Sequence, residues 1–252
     1  GSLHGMSGST MLVPTGSYNS AVTSIGFDFV YEGSTYTTFS ANNFGSMRLG
    51  STLIQDYQVQ NLTGNQPLIS PLSVDGDVSG NWAEYVVTGS APNRVLTVHW
   101  DHHAYSWDGG TYYIFQASLY EGTNVIEFNY GTGGAMSWWK NYAAISGANA
   151  ANYLNVGPGH TVSSVNDASM NAWPGNGLVY TFTPPSACAT PAPGNTLASV
   201  TSGCPGISSV LTLQNPTPGS GVSYQWQSSP DGSSWSNIGG ALSDAYTASS
   251  LF

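Results

Sequence analysis

The chain has 252 residues, and only Arg48, Arg94 and Lys140 carry a fixed positive charge against 13 carboxylates, which gives a formal net charge of −10. Charged residues make up 6% of the chain, where ordinary soluble domains have roughly 25%, while 40% of the residues are hydrophobic. These values argue against disorder, a nucleic-acid partner and an anionic membrane surface. No apolar run reaches the length of a membrane span, so we expect no direct membrane insertion. The composition is typical of exported all-β proteins and predicts an extracellular or outer cell-surface location.

Short β-type runs separated by turn residues recur along the first 182 residues, and helical periodicity is nearly absent. Two hairpins are expected, one from residues 23–31 and 35–40 and one from residues 112–120 and 125–130. The other predicted strands are 45–49, 82–88, 94–100, 141–146 and 177–182. Roughly ten strands at this spacing predict an all-β, jelly-roll-like sandwich over residues 1–184. The start, Gly1-Ser2, suits either a tag remnant or a natural mature end, so we leave open whether residues 1–5 are native.

Prolines at positions 184, 185, 191 and 193 mark a change of composition. They disfavour a central strand and favour a stiff connector, which we place at residues 185–194. Residues 195–252 predict an incomplete Ig-like domain with strands 210–213, 222–227 and 235–238 and a turn at 230–233. The segment stops at Phe252, short of the roughly 100 residues that such a sandwich needs. We therefore expect a fragment whose chain continues into further domains of its own beyond residue 252.

Several phrases carry a resemblance to a known family. They are Ile25–Phe29 (IGFDF), 44–50 (FGSMRLG), 91–100 (APNRVLTVHW), 115–131 (FQASLYEGTNVIEFNYG) and 224–235 (YQWQSSPDGSSW). The sequence resembles the β-sandwich and Ig-like repeat modules of large surface proteins of Bacteroidota exported by the type IX system. The resemblance implies a multidomain, secreted, adhesin-like protein, attached to the cell surface or released. It supplies no catalytic residues.

One segment, residues 75–81 (DGDVSGN), resembles the front of a calcium loop, because hard cations are bound by clustered oxygens and Gly80 allows a sharp turn. The candidate ligands are Asp75, Asp77, Ser79 and Glu84. The closing position of such a loop is occupied by Val86, which cannot coordinate. The favoured interpretation is a solvated turn, so the sequence predicts no cofactor, with calcium as the alternative.

The segment 99–110 (HWDHHAYSWDGG) combines histidines, carboxylates and aromatic residues. His102 and His103 could hold zinc or copper with His99 or Asp101 as a third ligand, but neighbours on a strand point to opposite faces, so they would have to converge in a loop. A more natural interpretation is a loop whose rings stack on sugars. The candidate ligand-binding residues are Trp100, His102, His103, Tyr105, Trp107 and Asp108. The alternative is a loop that packs these rings on the sandwich.

A second aromatic site is predicted at Trp138 and Trp139. Adjacent tryptophans on a regular strand cannot both face one core, so at least one is exposed, lies in a loop or packs at an interface. Exposed aromatic rings are typical of recognition surfaces. The alternative is packing against a loop or against the second domain.

The sequence contains no nucleophile elbow, phosphate loop or zinc-protease helix motif. Glu84, Glu121 and Glu127 could be imagined as a glycosidase pair, but solvated surface positions are the favoured interpretation. The chain has two cysteines, Cys188 and Cys204. Cys204 falls where an Ig sandwich places its first disulfide cysteine. The hypothesis is that both pair with later cysteines in a longer chain, and that here they are free or bridge each other.

Taken together, the sequence predicts a non-catalytic extracellular module that binds a glycan or a surface protein through aromatic loops, with the Ig-like part as a stalk. Two alternatives stay open. One is an exported polysaccharide-degrading enzyme with carboxylates in a sandwich groove. The other is a purely structural repeat of a filament or surface layer.

Overall fold

A computed structural model describes residues 2–55, 64–73, 80–103, 112–134, 136, 142–149, 152–164, 170, 172–185, 193–216 and 223–251. The chain divides into two compact units, Gly1–Pro184 and Pro185–Phe252. In the described residues the regular structure is β-strand, apart from one 3-10 turn at Pro158–His160, so the predicted all-β fold is confirmed. None of the described helical residues forms a helix long and apolar enough to cross a membrane.

The described part of the first unit forms two antiparallel sheets. Its strands are β1 (Thr10–Val13), β2 (Thr23–Tyr31), β3 (Ser34–Ala41), β4 (Met47–Leu49), β5 (Leu68–Ser73), β6 (Trp82–Thr88), β7 (Val95–His103), β8 (Tyr112–Tyr120), β9 (Ile126–Tyr130), β10 (Tyr142–Ser146), β11 (Tyr153–Val156), β12 (Val162–Ser163) and β13 (Val179–Phe182). Sheet I has the order β1-β6-β7-β8-β9-β13, and sheet II has the order β12-β11-β10-β5-β4-β3-β2. Each sheet is built around a meander of four consecutive strands, β6–β9 in sheet I and β2–β5 in sheet II.

The two sheets pack face to face over one apolar core, because alternate residues of each strand point inward. On β2, Ile25, Phe27 and Phe29 share one face of the strand and are buried. The aromatic ring of Trp100 on β7 stacks on Phe115 of β8, with the ring centroids 5.6 Å apart. Side chains of sheet I also donate hydrogen bonds to backbone carbonyls of the sheet II layer, and these bonds fix the position of one sheet on the other.

Two of these bonds are well defined. Trp100 Nε1–H donates to the carbonyl oxygen of Asn42 at 2.7 Å. The Tyr130 hydroxyl donates to the carbonyl oxygen of Pro71 at 2.6 Å. Between these points the backbone at Gly45 has a φ of +92°, and a Cβ there would overlap the Leu72 carbonyl oxygen and the Phe115 ring. A glycine is therefore required at this close crossing.

The second unit contains a sheet of β14 (Thr196–Ala198), β15 (Ile207–Leu213) and β18 (Ala245–Leu251), and a hairpin of β16 (Gln227–Ser228) and β17 (Ser236–Asn237). The hairpin turn forms around Asp231, whose carboxylate accepts the backbone N–H of Ser233 and of Ser234, both at 2.8 Å. These bonds lower the pKa of Asp231 to about 2. Cys204 is an exposed free thiol, whereas Cys188 lies outside the described residues.

Candidate functional site

The strand ends that flank the predicted binding segments lie together at one end of the first unit. In sheet I, Trp82 pairs with Asp101 and His103 pairs with Tyr112, so the start of β6, the end of β7 and the start of β8 coincide. In sheet II, Ser73 at the end of β5 pairs with residue 142 at the start of β10. The hydrogen bonds from Trp100 and Tyr130 to sheet II, given above, place both sets of strand ends on the same side. We call this region the His103 end.

Most of the predicted site residues fall in segments that connect these strand ends and lie outside the described residues. They are Asp75, Asp77, Ser79, Tyr105, Trp107, Asp108, Trp138 and Trp139. Their predicted roles in calcium and sugar binding stay predictions. What the structure describes is the frame from which these segments leave.

Two of the predicted ligand-binding residues belong to the core, which corrects the prediction. β7 was expected to end at Trp100 and continues to His103, because β6 and β8 pair with it over its full length. Trp100 and His102 therefore point inward, and both are completely buried. Neither side chain is available to a ligand.

The adjacent histidines are held apart and tied to one buried asparagine. Asn81 Oδ1 accepts the backbone N–H of His103 at 2.7 Å, and Asn81 Nδ2 lies 2.9 Å from His102 Nδ1. The backbone carbonyl oxygen of Asn43 lies 3.2 Å from the same ring nitrogen. His102 is thus a structural element held between Asn81 and Asn43. A metal site that combines His102 with His103 is incompatible with this arrangement.

His103 lies on the outer face and contacts two neighbours. Its Nε2 is 3.3 Å from Asp101 Oδ1, and its ring meets Tyr112 edge-on with the ring centroids 4.0 Å apart. The described residues contain no group of three or more His, Cys, Asp or Glu side chains that could hold a metal ion. Glu84, the one predicted calcium ligand within the described residues, accepts the Ser9 hydroxyl at 2.5 Å.

Exposed aromatic rings that sequence reasoning missed are present at the His103 end. Tyr112 is 52% exposed and Tyr18 is 51% exposed. Tyr18 stacks on Phe44 with ring centroids 6.2 Å apart and an interplanar angle of 20°. Trp173 lies half-buried beside Tyr113 and Tyr130, with both ring centroids 5.5 Å away. Flat rings held in this way can stack on a sugar face or pack against a protein partner.

Tyr112 could have been found from the sequence. The argument used for Trp138 and Trp139 applies equally to Tyr112 and Tyr113, because adjacent aromatics on a strand face opposite sides. In the structure Tyr113 is completely buried and Tyr112 points outward. Tyr18 gives a weaker signal, a single ring in a segment rich in Gly, Ser and Asn.

Each carboxylate considered for a glycosidase pair has its own structural partner. The Glu121 carboxylate accepts three hydrogen bonds from Arg94: from Nε at 2.7 Å, from Nη2 at 2.5 Å and from the backbone N–H at 3.0 Å. This pairing lowers the pKa of Glu121 to about 2. Glu127 accepts the Tyr120 hydroxyl at 2.6 Å, and Glu84 is bonded to Ser9 as described. These partners favour structural roles for all three side chains.

The described strands define an all-β module. Residues 2–184 match the family described as NIDO related, so the chain belongs to the NIDO-related family. This family match suggests a module of the extracellular type. Residues 193–252 match the family described as Domain of unknown function (DUF8696). Neither match ties the chain to the type IX-secreted surface proteins of Bacteroidota. Comparison with curated proteins gives no match, and comparison with solved structures gives none.

Proposed function

We propose that the first unit is a non-catalytic recognition module of a secreted or surface-attached, adhesin-like protein, and that it binds a glycan at the His103 end. The observation that carries the proposal is the exposure of Tyr112 and Tyr18 at one end of a rigid sandwich. Loops and strand ends on such a frame are where binding residues usually occur. Tyr112 packs against His103, and Tyr18 stacks on Phe44. Because these contacts already restrict the rings, a ligand that stacks on them loses little side-chain entropy.

The polar neighbours of Tyr112 suit a sugar. A ring stacked on the apolar face of a sugar leaves the hydroxyls at its rim, and side chains beside the ring can bond them. His103 contacts Tyr112 and Asp101 contacts His103, so both side chains supply hydrogen-bonding groups close to the ring. The net charge of −10 with three fixed cations in the whole chain disfavours sulfated or carboxylated sugars. We therefore propose a neutral glycan as the ligand.

The second unit is proposed to act as an Ig-like stalk, and export by the type IX route is proposed on the sequence resemblance alone. A calcium ion at residues 75–79 also remains a proposal. None of these proposals is needed for binding at the His103 end.

The test is a glycan array probed with the wild-type chain and with Tyr112→Ala and Tyr18→Ala. We expect binding to neutral glycans that drops at least about ten-fold in Tyr112→Ala, the scale of one lost stacking contact. Trp235→Ala is the matched control, since Trp235 is 59% exposed but belongs to the second unit, and it should leave binding unchanged. Trp107→Ala and Trp138→Ala extend the test to the predicted loops. Absence of glycan binding, or binding unaffected by every change at this end, would overturn the proposal.

A further inference from the structure

The first residues of the chain lie across the outer face of sheet I, and we call residues 2–9 the N-terminal arm. The arm precedes β1, which pairs with β6 at the edge of the sheet. Ser9 contacts Glu84 on β6, His4 contacts Gln116 and Tyr120 on β8, and Leu3 lies over Gly131 just after β9. The arm therefore crosses the strands from β6 to the end of β9.

The face beneath the arm is polar and buried. Gln116 and Ser118 are completely buried, and Thr97 and Asn129 are 1% and 3% exposed. These side chains point away from the sandwich core, because the inward positions on the same strands are Val98, Ala117 and Phe128. If this outer face of the sheet were open to solvent, these side chains would be exposed. The burial of this polar row shows that the outer face is covered, and the arm contacts it at Gln116.

Gln116 recognises a peptide group of the arm at two points. The backbone N–H of His4 donates to Gln116 Oε1 at 2.7 Å, and Gln116 Nε2–H donates to the carbonyl oxygen of His4 at 2.9 Å. This pattern copies the paired bonds between neighbouring β-strands. It depends on the backbone of the bound segment and so accepts any extended peptide, whatever its side chain at that position.

Two further contacts add side-chain selectivity. The imidazole of His4 has its Nε2 3.3 Å from the Tyr120 hydroxyl and 3.8 Å from Glu127 Oε2. The Tyr120 proton is already donated to Glu127, so Tyr120 can only accept from His4. A Cβ on Gly131 would lie 2.6 Å from Leu3 Cδ1, which shows that the glycine forms the floor under the leucine. The face thus fits an aliphatic residue followed by a donor or cationic residue.

The arm leaves one polar group beneath it unmatched. Asn129 is paired with Gln116 across β8 and β9, and its Nδ2 is buried without a hydrogen-bond partner. A buried donor without a partner is unfavourable, and a segment that brought an acceptor to it would bind better. The arm is therefore an incomplete match for the surface that it covers.

From these contacts we infer that the outer face of sheet I is a binding site for an extended peptide, that the arm occupies it in cis, and that a peptide of the same chemistry displaces the arm. The inference does not rest on glycan binding at the His103 end. The proposed site consists of three parts. Gln116 bonds the peptide backbone, Tyr120 and Glu127 accept from the side chain that follows the aliphatic residue, and Gly131 lies beneath the aliphatic residue.

The test uses a fluorescent peptide with the sequence of residues 2–9 and a version of the chain that starts at residue 10. We expect saturable binding of the peptide to this chain and at least about ten-fold weaker binding after Gln116→Ala, as expected for two lost hydrogen bonds. A scrambled peptide is the control. The wild-type chain should bind the peptide much more weakly, because its own arm is present at a high effective concentration.

A second measurement keeps the inference testable if the shortened chain does not fold. Hydrogen exchange of the full wild-type chain should show that the His4 amide exchanges far faster than the Val98 amide in the core, and faster still in Gln116→Ala. That result would mean that the arm opens while the sandwich stays folded. Equal protection of His4 and Val98 would overturn the inference, as would a folded, shortened chain that fails to bind the peptide.

Discussion

Trp100 combines two contributions to stability in one side chain. It is completely buried against Phe115, and its indole N–H is bonded to the Asn42 carbonyl in the facing layer. Trp100→Ala should lower the free energy of unfolding by about 3–5 kcal/mol, because it leaves a cavity and an unmatched carbonyl. Chemical denaturation measures the change. Trp235→Ala is the control, since an exposed tryptophan should cost less than about 1 kcal/mol; equal losses would contradict the placement of Trp100 in the core.

Glu121 should give the chain an acid-sensitive contact. Hydrogen bonds from Arg94 lower the pKa of Glu121 from its ordinary value of 4.5 to about 2 in the folded chain. Because the folded value lies below the ordinary one, the contact stabilises fully above pH 4.5 and is lost as the pH falls towards 2. The melting temperature of the wild type should therefore fall more between pH 5 and pH 2 than that of Glu121→Gln. The contact is partly exposed and screened by solvent, so the difference will be modest, but identical pH profiles would contradict the pairing.

Single residues also show where sequence reasoning succeeds and fails. Alternation along β2 places Ile25, Phe27 and Phe29 on one face, because local spacing alone decides it, and the structure shows that this face is buried. The role of Asn81 could not be predicted, since it depends on β6 and β7 lying side by side. The same long-range pairing determines that His102 is buried and His103 is not.

At the scale of elements, hairpins were predictable and interior strands were less so. The β2–β3 hairpin turns at Glu32 and Gly33, both with positive φ, and a glycine in a short turn is a strong local signal. β5 was missed because it contains Pro71, which argues against a central strand. The pairing of β5 with β10 shows why the proline is tolerated. Ser70 pairs with Ala144 and Ser73 pairs with Tyr142, so β5 has one more residue than β10 between the two pairs. Pro71 therefore lies in a β-bulge.

The close crossing of the two sheets gives an element-scale prediction. Gly45→Ala should destabilise the chain by at least about 3 kcal/mol, because a Cβ would collide with the Leu72 carbonyl and with Phe115 in addition to the unfavourable φ. Gly33→Ala is the matched control, since Gly33 has a φ of +75° and open space around it. It should cost about 1 kcal/mol. Denaturation curves that show equal costs would contradict the close approach at Gly45.

At the scale of the whole molecule, the chain consists of a sandwich with a large core and a smaller second unit. The buried apolar clusters consist of residues of the first unit, from Leu12 to Met170. The first unit should therefore fold without the second. Removal of residues 185–252 should leave the unfolding midpoint of the sandwich unchanged, measured by circular dichroism against the full chain. A large drop in the midpoint, or loss of cooperative unfolding, would show that the sandwich depends on the second unit.

Charge and surface at this scale are compatible with the proposed recognition role. The carboxylates of Glu121, Glu127 and Glu84 are bonded to Arg94, Tyr120 and Ser9. In the described part of the first unit, Tyr18 and Tyr112 are exposed at the His103 end. The sandwich that carries that end could be predicted from the sequence, whereas the predicted aromatic loops lie outside the described residues. Alternation along the strand could have identified Tyr112 as an outward ring, but its position beside His103 depends on the register of β7 and β8.

The most direct test of glycan recognition is nuclear magnetic resonance of the isotope-labelled chain, titrated with a neutral glycan selected on the array. We expect chemical-shift changes at Tyr18, Trp82, His103 and Tyr112, with none at the opposite end around Arg94 and Asn124. Shift changes confined to the Arg94 end or to the second unit would contradict it.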